Sequence, residues 1–284
     1  MKYLLLAAAV FFAFERIHAQ DENAICLIVR ADDMASFHDA NVACIKACKE
    51  GIARSVEIMA PCPWFPEAVK MLNENPSIDV GIHLVLTSEW DGVRWRPLTD
   101  DPSLVDKDGY FYQFIWGGND TSANNYLLKA NWKIEEIEKE LRAQIALALK
   151  YLPRVSHVSA HMGCSTMDPK VTELVERLAR EYKLRTENIP GSNPLRGWDN
   201  NKSLEGKIDQ FISAINNLTP GTYVFIEHPG LDNSEMRSAI FNHDNNLAID
   251  RQNVTDIFTN KKVIGALRDK GIKLIGYTDI AQKK

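Results

Sequence analysis

Four short stretches concentrate the residue types that hold metals and move protons: the acidic pair Asp32-Asp33, then His83, His161 and His228. One carboxylate and two imidazoles, with no thiolate, suit a divalent first-row ion such as Zn²⁺, whereas Mg²⁺ and Ca²⁺ prefer oxygen donors. Three protein donors leave a coordination position open, the mark of a catalytic rather than a structural site. An ion held this way acidifies water and polarises a substrate carbonyl. Each residue alone has a plainer reading. Adjacent carboxylates at a strand end cap the next helix or sit in solvent, the histidine of Gly81-Ile82-His83-Leu84 is as readily a hydrogen-bonded core residue, and His228 before Pro229-Gly230 is as readily a turn residue.

Their shared position decides between these readings. Short β-rich apolar runs fall at Ile25–Ala31, Ser55–Ala60, Ile78–Leu84, Val155–Ala160, Leu184–Thr186, Tyr223–Glu227 and Lys273–Tyr277. Helical spacing separates them at 40–50, 65–73, 133–151, 169–182, 203–216 and 261–269, with Asp168-Pro169 a fitting helix start. About seven strands alternating with helices predict an α/β fold with a parallel sheet, open or closed into an irregular barrel. Asp32-Asp33 follows the first strand, His83 and His161 end the third and fourth, and His228 ends the sixth. The carboxyl ends of parallel strands face one crevice, where ligands bind. Packing alone does not place four such groups there.

His157 precedes His161 by four residues. On one strand face that separates them by roughly 13 Å, so His161 is the expected ligand and His157 an interior histidine held by hydrogen bonds. The stretch 87–131 breaks the alternation and is too long for a simple connection, which predicts a lid-like insertion. It carries Trp90, Trp95, Tyr110, Phe111, Tyr112, Phe114 and Trp116. Such rings either present flat faces to a ligand or pack the insertion onto the barrel. No Gly-x-Ser-x-Gly elbow or phosphate-binding glycine loop occurs.

The N-terminus reads as an export signal over residues 1–19. Lys2 precedes an apolar run from Tyr3 to Phe14, and Ala19 closes a small-residue cleavage site. An uncleaved interfacial anchor is the other reading of this segment. The rest, 20–284, is expected to be one domain with no membrane-spanning segment. The whole chain carries a formal charge of −5; losing Lys2, Arg16 and Glu15 with the signal leaves −6. A mildly acidic chain without a basic run is a poor partner for nucleic acid. Five cysteines at uneven spacing form no disulfide framework and read as small apolar residues.

Arg30-Ala31-Asp32-Asp33, Gly81-Ile82-His83-Leu84 with Thr87, Ser156-His157-Val158-Ser159-Ala160-His161, His228-Pro229-Gly230, Arg251 and the segment 271–277 together resemble the YdjC-like carbohydrate deacetylases, in order and over essentially the whole mature chain. The resemblance implies a distorted, TIM-barrel-like (β/α) fold and removal of an acetyl group from an N-acetylated sugar. It implies Asp33, His83 and His161 as ligands of one divalent ion (zinc, with magnesium the alternative), Asp32 as general base and His228 as the acid for the leaving amine. Trp90, Trp95 and Arg251 are the expected substrate contacts, and a homodimer is a family-level expectation. Two departures stand out. Met34-Ala35 replaces Phe-Gly after the acidic pair, and Ser159 replaces an aspartate two residues before the metal histidine, removing a carboxylate that would support the ligands. A non-catalytic carbohydrate-binding protein and a metal hydrolase for another amide or ester are the competing readings.

Overall fold

The computed structural model describes residues 23–117, 126–240 and 246–280. The expected export signal, part of the insertion (118–125) and His243 lie outside the described residues.

Eight strands pair in parallel: β1 (Ile25–Met34), β2 (Ser55–Ile58), β3 (Asp79–Leu84), β4 (His157–Ala160), β5 (Arg185–Thr186), β6 (Ser192–Pro194), β7 (Gly221–Glu227) and β8 (Lys273–Leu274). The order is β5-β4-β3-β2-β1-β7-β6, with β8 added to β1. This is the curled, TIM-barrel-like α/β sheet that the strand–helix alternation predicts. No pairing joins β5 to β6 among the described residues, so the sheet is open there. β1 is central. One edge pairs with β7 from Ile25 to Ala31; the other is shared by β8, at Cys26 and Leu27, and by β2 from Arg30 onward. Neighbours on both sides and helices outside explain its run of buried residues.

The helices α1 (His38–Lys49), α2 (Phe65–Glu74), α3 (Ile134–Tyr151), α4 (Pro169–Glu181), α5 (Leu204–Asn216), α6 (Ser234–Arg237), α7 (Leu247–Phe258) and α8 (Lys261–Asp269) follow the strands. Asp168 caps α4 by accepting from the Lys170 amide, with Pro169 at the first position. Gly271 at φ +72° closes α8. No helix among the described residues is long and apolar enough to cross a membrane.

Three elements escape the sequence reading: β6, α6 and α7. β6 is three residues of Ser-Asn-Pro, which carry no strand signal. α7 turns Arg251 and Thr255 inward together with Ala248, Val254, Ile257 and Phe258, and two polar residues on the buried face blur the helical period. The last strand is shorter than expected, because Tyr277 already opens a 3₁₀ turn. The first is longer. It runs through the acidic pair to Met34, and its pairing with β2 is irregular between Ala31 and Met34. Asp33 at φ +67° and Ala35 at φ +85° sit in the left-handed region that glycine favours, and Asn41 Oδ1 holds the Ala35 amide at 2.7 Å.

Candidate metal centre

Parallel register brings the site together. His83 of β3 lies level with Ser159 of β4, and Ala31 of β1 lies level with Glu227 of β7, so Asp32 and His228 follow at one height. Donor atoms of Asp33, His83 and His161 all lie within 4.8 Å of one another, and all three residues are buried. Asp33 Oδ1 is 3.5 Å from His83 Nε2 and 3.2 Å from His161 Nδ1. It is buried and has no hydrogen-bond partner. A carboxylate oxygen left in that state costs free energy that a cation would recover, so the residues present fit a metal ion.

Charge organises the group. Arg251 Nη2 holds the other Asp33 oxygen at 2.6 Å. Burial pushes the Asp33 carboxyl up, but Arg251, His228 and His161 outweigh it and hold it well below the usual range. Burial, reinforced by neighbouring His161, lowers the His83 pKa and keeps the imidazole neutral, the form that binds metals. Burial also opposes charge on His161, but Glu89 and Asp33 overcome it and raise its pKa to about 10.

Asp32 stands beside this group without joining it. Arg30 grips both its oxygens, Nε to Oδ1 and Nη2 to Oδ2, each at 2.8 Å, and Asp32 Oδ2 lies 3.7 Å from His83 Nε2. Arg30 in turn reaches Glu187 at 2.7 Å. Beside Arg30 and Ser159 a cleft of about 360 Å³ opens where β5 and β6 fail to pair. The His228 side chain is 42% exposed, with Nδ1 3.8 Å from Glu227 Oε2. Partial burial lowers its pKa, but the Asp33 charge and the Glu227 contact together raise it.

Two carboxylates behind the ligands are absent from the sequence reading. Glu89, from the insertion, places Oε2 2.9 Å from His161 Nε2. The only hint was an acid beside Thr87. Glu57, on β2, accepts from Ser159 Oγ at 2.5 Å, and Ser159 Oγ lies 2.7 Å from His83 Nδ1. The carboxylate that Ser159 was expected to cost the site is thus present, supplied from β2. Glu57 also lies 2.8 Å from His157 Nε2, and the His157 ring stacks on Tyr277 at 3.7 Å. That is the interior histidine the spacing predicts. His38, at the start of α1, is 2.9 Å from Glu67 and away from the ligand group.

The insertion and α7 wall the ligand group. Trp90 and Trp95 are 1% and 3% exposed, packed on each other, on Phe37 and near His161, so neither offers a face to solvent. Arg251 lies over Trp90 at 5.1 Å and gives Nη2 to Asp33, while its buried Nε and Nη1 have no hydrogen-bond partner. Trp90 and Trp95 are held there because the insertion packs onto the barrel through Leu104, Phe111, Ile115 and Leu127, whereas Arg251 comes from the buried face of α7. Its exposed ring is Trp116, at 46%, against Gly163 in the turn that follows His161.

The profile of the YdjC-like protein family matches residues 26–269. A carbohydrate deacetylase of Clostridium beijerinckii is 28% identical over 267 residues, covering 89% of this chain and 99% of that protein. A chitooligosaccharide deacetylase of Yersinia enterocolitica is 31% identical over 159 residues, 56% of this chain and 57% of that one. Among solved structures, an Enterococcus faecalis V583 protein described in terms of cellobiose-phosphate cleavage superposes with a TM-score of 0.73 at 24% identity, over 91% of this chain and all of that one, and so shares the fold.

Proposed function

We propose that this chain, which belongs to the YdjC-like protein family, is a metal-dependent hydrolase that removes acetyl groups from N-acetylated sugars. One observation carries the reading: Asp33, His83 and His161 converge, buried, around a carboxylate oxygen that faces both imidazoles and has no hydrogen-bond partner, with the clamped carboxylate of Asp32 alongside. The relatives named as carbohydrate and chitooligosaccharide deacetylases supply the substrate class.

Asp33 Oδ1, His83 Nε2 and the His161 nitrogen facing Asp33 would hold the ion, and their chemistry favours zinc. A divalent cation there supplies Lewis acidity that polarises the acetamide carbonyl and acidifies water. Asp32 takes the proton of the attacking water, and the Arg30 fork fixes the direction in which its oxygens point. His228 directly follows the neighbouring strand β7, whose last residue Glu227 lies level with Ala31, and donates to the departing amine. Trp116 is the insertion's ring free to stack on a sugar. We also propose that residues 1–19 are an export signal cleaved after Ala19; the N-terminal sequence of the protein recovered from producing cells tests this, and a start at Met1 would refute the cleavage.

Acetate release from N-acetylated oligosaccharides tests the activity. The zinc-loaded protein should release acetate, lose the activity to a chelator and regain it with zinc. Stoichiometric metal without acetate release would favour a non-catalytic carbohydrate-binding protein. Cleavage of simple esters alone would favour a hydrolase of another substrate class.

A further inference from the structure

We propose that Glu57 is a positioning residue for the metal centre, acting through the Ser159 hydroxyl to hold His83 in the tautomer that keeps its Nε2 lone pair free. The proposal rests on the reading of Asp33, His83 and His161 as metal ligands.

The argument is a count of protons. A serine hydroxyl carries one proton and two acceptor sites. Ser159 Oγ lies 2.5 Å from Glu57 Oε2, and a carboxylate only accepts, so the Ser159 proton is committed to Glu57. Ser159 can then only accept from its other neighbour. That neighbour is His83 Nδ1 at 2.7 Å, which must carry the hydrogen. In the neutral ring the second nitrogen is then an acceptor, and it is Nε2 that faces Asp33 at 3.5 Å. The chain of bonds is buried: Glu57 is fully so, and Ser159 and His83 are each 2% exposed. Burial of this kind strengthens the bonds against competition from solvent.

The strands are built to admit this carboxylate. Glu57, Gly81 and His157 form one row across β2, β3 and β4. Glu57 meets His157 across the intervening strand because position 81 has no side chain. An added Cβ there would collide with Glu57 Oε2 and come within 2.5 Å of His157 Nε2. His157 holds Oε1, so Oε2 is directed at Ser159, one inward position further along β4. Outer-layer partners of this kind typically change metal affinity about 10–100-fold when removed. His161 is supported by Glu89 directly, and His83 by Glu57 through one hydroxyl.

Two measurements test the proposal. In the metal-free full chain, ¹⁵N NMR of the histidine rings should show His83 protonated at Nδ1; protonation at Nε2 would overturn it. This readout needs neither a variant nor bound metal, so it stands even if the protein takes up no zinc. Zinc affinity by chelator competition should fall about 10–100-fold in Ser159→Ala and in Glu57→Gln, while the double variant falls no further than the worse single one. Unchanged affinity in Ser159→Ala, or additive losses, would overturn the relay. A wild-type protein that binds zinc and shows the Nδ1–H tautomer but releases no acetate would refute the deacetylase reading and leave the relay standing.

Discussion

Arg251, reaching in from α7, occupies one oxygen of Asp33 at 2.6 Å and leaves the other facing two histidines. This division makes the carboxylate a one-oxygen donor with a fixed direction. Arg251→Ala would strand a buried charge, which typically costs about 3–5 kcal/mol. Melting temperature should fall in the metal-free variant, and zinc should recover more stability than it adds to wild type, because the cation replaces the lost charge. An equal loss with and without zinc would refute the pairing as the cause.

Asp32 touches the ligand group without contributing to it, so metal binding and catalysis should separate there. Asp32→Asn keeps the shape but loses the base. Acetate release should drop about 100-fold or more while zinc stoichiometry stays at wild-type level. Retained activity in a zinc-loaded variant would remove Asp32 from the mechanism.

Trp116 is the exposed indole nearest the turn after His161. Trp116→Ala should raise KM for N-acetylated oligosaccharides several-fold, with kcat and melting temperature little changed, because an exposed ring contributes to binding more than to folding. A fall in kcat at constant KM would argue against a stacking role.

Gly81 is fixed by what lies across it. Gly81→Ala should cost about 1–3 kcal/mol in urea unfolding, since Glu57 and His157 are both fully buried and have no room to withdraw. A neutral substitution would mean that the two side chains can separate freely.

A surface network sets part of the acid stability. Hydrogen bonds from Arg177 and Arg142 hold the Glu138 carboxyl down to about 2. A depressed folded-state pKa adds stability that is present above the unfolded value of 4.5 and lost as pH falls towards about 2. Wild type should therefore lose more stability than Glu138→Gln across that window. The difference should stay below about 1 kcal/mol, because the arginines are 34% and 42% exposed and solvent screens the pairs. Parallel urea titrations at the two ends of the window measure it.

The sequence makes the positions of the metal-site residues legible because strand ends are local signals: Asp33, His83 and His161 each close an apolar run, and alternation places them at one rim. The supporting residues carry no such mark. Glu57 sits inside a strand whose pattern reads as any half-buried run, and its role appears only once Gly81 and His157 stand in its row. Glu89 lies in an irregular insertion, where no period says which way a side chain points. The same irregularity left the tryptophans undecided between ligand faces and packing, and the structure buries Trp90 and Trp95. Arg251 lies on a helix whose polar inner face hides its periodicity.

β1 carries Arg30, Asp32 and Asp33, yet its partners β7 and β8 and the Arg251 clamp all come from the last quarter of the chain. A polypeptide emerging from the ribosome therefore exposes all three donor side chains about ninety residues before the guanidinium that steadies one of them. A C-terminally shortened product would therefore contain Asp33, His83 and His161 and still lack the Arg251 clamp and the β7 and β8 partners of β1.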